Sequence, residues 1–279
     1  PYVKRTALEQ SRTLSRHLGA NVFVKLELFQ KTGSFKTRGS FNKMLSLAEE
    51  EKRRGVVAVS GGNHAQAVAF AASRLEIDAV ILMPENTPRN YLDATRGCGA
   101  RIELLPTIAA AFAETERHIA EGRVFVHPFD DRLVAAGQGT VGLEILEDLP
   151  EVTDIFVSIG GGGLAGGVAT AVKSSKPETR IWGVETIGAD AMAQALIAGS
   201  PVELPAITSI AKTLGAPAVS PFTLRMARDL LESVTVVSDQ EAVRALRFIL
   251  ERLKVLTEPA SSCALAAAER LKDQFTSES

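Results

Sequence analysis

The chain has 279 residues, a formal net charge of −2 and 46% apolar residues. That length suits one large domain or two modest ones sharing a cleft. The near-neutral charge gives no reason to expect nucleic acid or an anionic membrane as a partner, and no apolar run reaches the roughly 20 residues of a membrane-spanning helix.

In chain order, the first β-rich run is 22–25. It leads to Gln30-Lys31-Thr32-Gly33-Ser34-Phe35-Lys36-Thr37-Arg38-Gly39 and then a helical stretch. A lysine in a turn is usually solvated, but Lys36 sits at a strand-to-helix junction between small residues and Phe35. Partial burial there would depress its pKa and prepare it to condense with a carbonyl. The run 56–59 feeds Ser60-Gly61-Gly62-Asn63-His64-Ala65 and an alanine-rich helix. Unpaired N–H groups at a helix start, approached closely past two glycines, suit a carboxylate, although Asn63 could equally be a simple cap.

Runs at 79–83 and 101–104 follow, then an amphipathic helix over 108–121. Next, 155–159 enters Gly160-Gly161-Gly162-Gly163-Leu164-Ala165-Gly166-Gly167. Four consecutive glycines leave a turn whose N–H groups can face inward around a phosphate. A rival reading exists, because Gly161, Gly163 and Gly166 satisfy G-x-G-x-x-G and Glu185 ends the next run, 181–184, where a ribose-binding acid belongs. That would make the chain an NAD-dependent oxidoreductase. The run 234–237 precedes a helix over 241–254, opened by Ser238 and Glu241 in capping-box spacing. Strand and helix signals alternate throughout, which indicates an α/β fold with largely parallel sheet. With no long linker, the chain reads as a large domain, 1–50 and 132–279, left and re-entered around a smaller one, 51–131. Cys98 and Cys263 lie far apart without metal-ligand spacing, so no metal site is expected and a reducing, cytoplasmic setting fits.

Taken together, these stretches resemble the fold-type II pyridoxal-phosphate enzymes, in the threonine dehydratase and serine racemase branch. The match rests on 32–39, 60–65, His127-Pro128-Phe129-Asp130-Asp131, Ala136-Gly137-Gln138-Gly139-Thr140, the glycine tetrad and Glu258-Pro259-Ala260. The resemblance implies a tryptophan synthase β-like fold of two open, twisted, mostly parallel sheets with helices on both faces, a small mobile domain, and pyridoxal 5′-phosphate as cofactor. By the same resemblance Lys36 is the Schiff-base lysine, Phe35 packs against the cofactor ring, Asn63 bonds its ring hydroxyl, and Gly160, Gly161, Gly162 and Gly163 hold its phosphate. Ser60, Gly61, Gly62 and Asn63 receive the carboxylate of a small amino-acid substrate. The implied activity is dehydration and deamination of L-threonine or L-serine to a 2-oxo acid and ammonia. The implied assembly is a homo-oligomer, dimer or tetramer.

The chain departs from the branch in four places. Serine racemases resemble it except for a serine where Gly61 stands, which favours elimination over racemisation. Lys212 falls where relatives usually carry aspartate, which raises an acidic substrate such as 3-hydroxyaspartate as an alternative; phenylserine is a further one on the same scaffold. Relatives that bind a cation use a carboxylate where Ala191 lies, so Glu185 reads as structural. The relatives carry a second Ser-Gly-Gly-Asn turn near their C-terminus, which meets the pyridine nitrogen; the residues after Glu258 show none, and Ser262 and Cys263 read as helix packing.

Overall fold

The computed structural model describes residues 2–274, and every run of aliphatic and β-branched residues noted above forms a strand. Strands β1 (Leu8–Gln10) and β2 (Phe23–Lys25) pair antiparallel, with Glu9 opposite Val24. Strands β3 (Val56–Val59), β4 (Ala79–Pro84), β5 (Arg101–Leu105) and β6 (Val124–Phe125) make a parallel sheet in the order β5-β4-β3-β6. Strands β7 (Asp154–Ser158), β8 (Arg180–Thr186) and β9 (Ser233–Val237) make a second parallel sheet in sequence order. Strands β1 and β6 have three residues and two, too few to carry a period-2 pattern.

The described chain groups into two compact units. One takes the chain up to Thr6 and Glu27–Gln138; the other takes Ala7–Leu26 and the chain from Gly139 on. The sequence places 1–6, 27–50 and 132–138 in the large domain, whereas they group here with the segment 51–131. The reason is apolar packing: Phe41 and Met44 of the helix Lys36–Leu45, together with Val134, share one core with Ala65, Val68, Ala71 and Ile81. Phe41 also meets Phe70 edge-on at 6.0 Å.

In the first unit, β3 is buried on both faces. Val56 and Ala58 join one apolar cluster while Val57 and Val59 join another, as alternation of side chains across a strand requires. Such a strand ends where its covering helices begin, so its C-terminal turn lies at the sheet edge that carries ligands in open α/β folds. In the second unit, the alanine-rich helix Pro259–Leu271 packs Ala266 and Ala267 against Val184 and Val237. Trp182 stacks on Phe156 at 5.8 Å and donates its indole N–H to Asp154 Oδ1 at 2.7 Å. The helix read over 241–254 spans Asp239–Leu253, with Ser238 as its N-cap and Glu241 closing the capping box. The helix read over 108–121 spans Ile108–Ala120, capped by Thr107.

Candidate active site

Lys36 opens the helix Lys36–Leu45 just after Thr32 and Gly33, which are both left-handed, at φ 62° and 74°. That conformation is unfavourable for threonine. It is held by a relay in which the Thr32 hydroxyl donates to Thr37 Oγ1 at 2.9 Å and the Thr37 hydroxyl donates to the Lys31 carbonyl at 2.6 Å. Arg38 is 3% exposed and clasps the Glu27 carboxylate through Nε and Nη2 at 2.9 and 2.7 Å. Gly39 donates to Gln138 Oε1 at 3.1 Å, and a Cβ added at Gly137 would sit 2.6 Å from the Gly39 Cα. Glycines at 39 and 137 therefore let the lysine-bearing helix approach the start of the helix Arg132–Asp148 closely. Asp131 caps that second helix by accepting from Leu133 and Val134, and it pairs with Lys43 at 2.7 Å.

Held in this way, the half-buried Lys36 side chain donates from Nζ to the Pro128 carbonyl at 2.8 Å and lies 5.4 Å from the centre of the Phe35 ring. Burial brings its pKa down from 10.5 to about 8. Two histidines flank it. His64 Nε2 donates to the Val126 carbonyl at 2.8 Å, and burial followed by the nearby Lys36 charge lowers its pKa to about 3. His127 Nδ1 accepts from Asp130 and Phe129 N–H at 2.7 and 3.2 Å, and burial brings its pKa to about 4. Both rings are neutral, so Lys36 carries the charge that titrates here near neutral pH.

Strand β3 runs into Ser60, whose Oγ accepts from the Gly62 N–H at 3.0 Å and keeps its own hydrogen free to donate. The helix Asn63–Arg74 begins behind Gly62 with no capping side chain. A Cβ at Gly61 would meet the Thr87 side chain, at Oγ1, at 2.9 Å.

In the second unit, β7 passes through Ile159 into Gly160, Gly161, Gly162 and Gly163. The helix Gly163–Ser175 starts behind Gly162 at φ 91°, again with no capping side chain. A Cβ at Gly162 would strike Met192 Cε at 2.7 Å, and one at Gly160 would come within 3.0 Å of the Leu214 carbonyl. A Cβ at Gly139 would meet the Gly167 carbonyl at 2.8 Å, which fixes this helix against the second half of Arg132–Asp148. Glu185 is fully buried, and its two carboxylate oxygens accept from Met192 and Ala193 N–H at 2.9 and 2.8 Å. Both oxygens are engaged at the start of the helix Ala191–Ala198, a structural role that leaves the dinucleotide reading without support from Glu185. Lys212 is exposed and donates to the Ile207 carbonyl at 3.1 Å. Ser262 and Cys263 are fully buried, the Ser262 hydroxyl donating to the Ala242 carbonyl at 2.8 Å.

Parallel sheets followed by side-chain-free helix starts, with a desolvated lysine at a third helix start, define an α/β enzyme of the fold-type II pyridoxal-phosphate class. The chain is 42% identical to the L-threonine ammonia-lyase of Thermotoga maritima, over 95% of this chain and 67% of that protein. It is 40% identical to the catabolic L-threonine dehydratase of Staphylococcus aureus, over 96% and 78%. The solved maize serine racemase superposes with a TM-score of 0.95 at 39% identity, covering 100% of this chain and 85% of that one. The chain belongs to the pyridoxal-phosphate dependent enzyme family, which matches it over residues 1–279. The residues present fit that cofactor: uncapped N–H groups behind glycine suit a phosphate, and an amine with a pKa near 8 suits an aldehyde.

Sequence reasoning missed the Pro128 carbonyl and the two neutral histidines. A backbone acceptor carries no side-chain signature. Among the described residues, no helix is long and apolar enough to cross a membrane.

Proposed function

We propose that the chain eliminates the β-hydroxyl of L-threonine or L-serine, releasing a 2-oxo acid and ammonia. The observation that carries the proposal is the Lys36 amine, half-buried, anchored on the Pro128 carbonyl and titrating near pH 8. An amine of that pKa is neutral often enough at physiological pH both to carry the cofactor's aldehyde and to remove the Cα proton. Bound there, pyridoxal phosphate would supply a conjugated ring that accepts electron density as the proton leaves Cα. The backbone of Gly160, Gly161, Gly162 and Gly163 would hold the phosphate, Asn63 the ring hydroxyl, and Phe35 one flank of the ring. The N–H groups of Ser60, Gly61, Gly62 and Asn63, with the Ser60 hydroxyl, would receive the substrate carboxylate, and their fixed orientation would hold Cα still.

The likeness to a serine racemase supports a second reading, and Gly61 weighs against it. Inverting Cα requires a proton-transfer group on each face, and Gly61 supplies none on the face where serine racemases carry serine. The exposed Lys212, already bonded to Ile207, gives little support to an acidic substrate such as 3-hydroxyaspartate.

The test is a panel of serine, threonine, 3-hydroxyaspartate and 3-phenylserine, scored for 2-oxo acid release by the native enzyme and by Lys36→Ala. Release from threonine or serine that vanishes in the folded variant is the expected result. Undiminished release by the variant would end the reading. A dimeric or tetrameric assembly in the cytoplasm belongs to the same proposal, and light scattering tests the assembly.

A further inference from the structure

Lys36 has a fixed hydrogen-bond acceptor, and that acceptor is itself fixed by a ring. The Pro128 carbonyl that receives Lys36 Nζ at 2.8 Å lies in the turn His127-Pro128-Phe129-Asp130. The two N–H groups on the far side of that turn, from Phe129 and Asp130, both point at His127 Nδ1, at 3.2 and 2.7 Å. An N–H can only donate, so Nδ1 must be unprotonated and the ring's single proton sits on Nε2. The ring is wedged among Phe112, Phe125 and Phe129, with centroids at 5.8, 5.2 and 4.6 Å. Those contacts hold the ring plane, and a flip about Cβ–Cγ would bring a carbon, Cδ2, to the Nδ1 position, so only Nδ1 can accept these two N–H groups.

The charged groups that act on this ring are Asp130 and Asp131, which favour its protonation, and Lys36, which opposes it. His64 is neutral and is bonded to Val126, the residue before His127. Burial outweighs the two carboxylates and brings the His127 pKa to about 4, so the ring remains an acceptor through the whole range in which Lys36 titrates.

We propose that His127 is the positioning residue for Lys36: by accepting two backbone N–H groups it shapes the turn that presents the Pro128 carbonyl to the lysine amine. This rests on the reading of Lys36 as the residue that carries the cofactor and takes the proton. When the amine is free, a single well-placed carbonyl orients its hydrogens and so aims its lone pair, and a shift of about 1 Å in that anchor can change a rate by about 100-fold. A ring that cannot accept leaves the Phe129 and Asp130 N–H groups to bond water instead, which loosens the turn and lets water reach the amine.

The variants that separate acceptance from bulk are His127→Asn, whose side-chain oxygen falls near the Nδ1 position, and His127→Leu, which fills space and accepts nothing. His127→Gln, which is polar but one carbon too long, replaces the leucine variant if that one does not fold. Three readouts apply. In cofactor-free native protein, nitrogen NMR should show His127 Nδ1 unprotonated between pH 5 and 9, and a proton found there overturns the proposal. In the same cofactor-free state, pH-dependent acetylation of Lys36 followed by mass spectrometry should give a midpoint near 8 for the native chain and for His127→Asn. For His127→Leu it should move toward 10.5, and a one-unit rise alone cuts the neutral fraction at pH 8 about fivefold. With cofactor, kcat for His127→Leu should fall about 10- to 100-fold with KM little changed, and His127→Asn should recover most of the loss. Equal midpoints in all variants, or equal losses in Asn and Leu, overturn the proposal. A native enzyme without turnover would instead sink the reading of the site, while the two cofactor-free measurements still judge His127.

Discussion

At the scale of single residues, the site works by keeping charge off groups that would otherwise carry it. His64 and His127 are neutral because burial outweighs their neighbours, and Lys36 is pulled down to about 8 by the same desolvation. The sign of the consequence is fixed. A buried lysine with a lowered pKa reacts as the neutral amine, so the rate at which cofactor-free protein takes up pyridoxal phosphate should climb about tenfold per pH unit below 8 and level off above it. Stopped-flow absorbance from pH 6 to 10 measures this, and a rise that continues to pH 10 would mean that Lys36 is an ordinary solvated lysine. Linkage runs in the same direction: the unfolded chain holds the Lys36 proton up to 10.5 and the folded chain only to about 8. The stability of the cofactor-free protein therefore gains from this group as pH rises between those values and lacks that gain below 8.

At the scale of elements, the placement of Lys36 depends on how closely two helices can approach. The turn that presents Lys36 leads into a helix whose Gly39 faces Gly137, with neither Cβ tolerated. Gly137→Ala would put a methyl carbon 2.6 Å from the Gly39 Cα and 2.7 Å from the Arg38 carbonyl, both backbone atoms that can move only by separating the helices. The expected penalty is about 1–3 kcal/mol or more in urea unfolding, with slower borohydride-trapped loading of Lys36. Gly97, at the end of the helix Arg89–Gly97, has nothing within 4 Å of its would-be Cβ. Gly97→Ala should be neutral or stabilising by up to about 1 kcal/mol, and an equal loss in both variants would show that the helix contact is not what matters. The sequence made the existence of these glycines plain, because motifs at 32–39 and 136–140 are unusual strings. It did not reveal that they face one another, since a residue pair 98 positions apart leaves no periodic trace. Strands of four or more residues with apolar continuity were legible, and β1 and β6 were not, because their pairing is decided by neighbours rather than by their own side chains. Lys36, Ser60, Gly61, Gly62 and Asn63 stand out in the sequence because glycine and small polar residues at a helix start are poorly explained by packing alone. The Pro128 carbonyl was hidden because every residue has one.

At the scale of the whole molecule, the residues assigned to the cofactor are spread over both compact units: Lys36 and Asn63 in the first, and Gly160, Gly161, Gly162 and Gly163 in the second. If both sets hold one ligand, its binding free energy must register in both units with one dissociation constant. Ligand at a hundred times Kd adds about 2.7 kcal/mol to the folded state, ample to change amide exchange. Hydrogen exchange followed during titration of the cofactor-free chain with pyridoxal phosphate should therefore show protection rising at 60–65 and at 160–165 with the same midpoint. Gly162→Ala is the decisive variant, since its alanine would be strained at φ 91° and would press on Met192 and Thr223, all within the second unit. Because one ligand has one dissociation constant, that substitution should raise the midpoint at 60–65 by the same factor as at 160–165. Two different midpoints in the native chain, or a response to Gly162→Ala confined to the second unit, would mean that the lysine and the glycine turn serve different ligands, and the assignment of one cofactor to both would have to be given up.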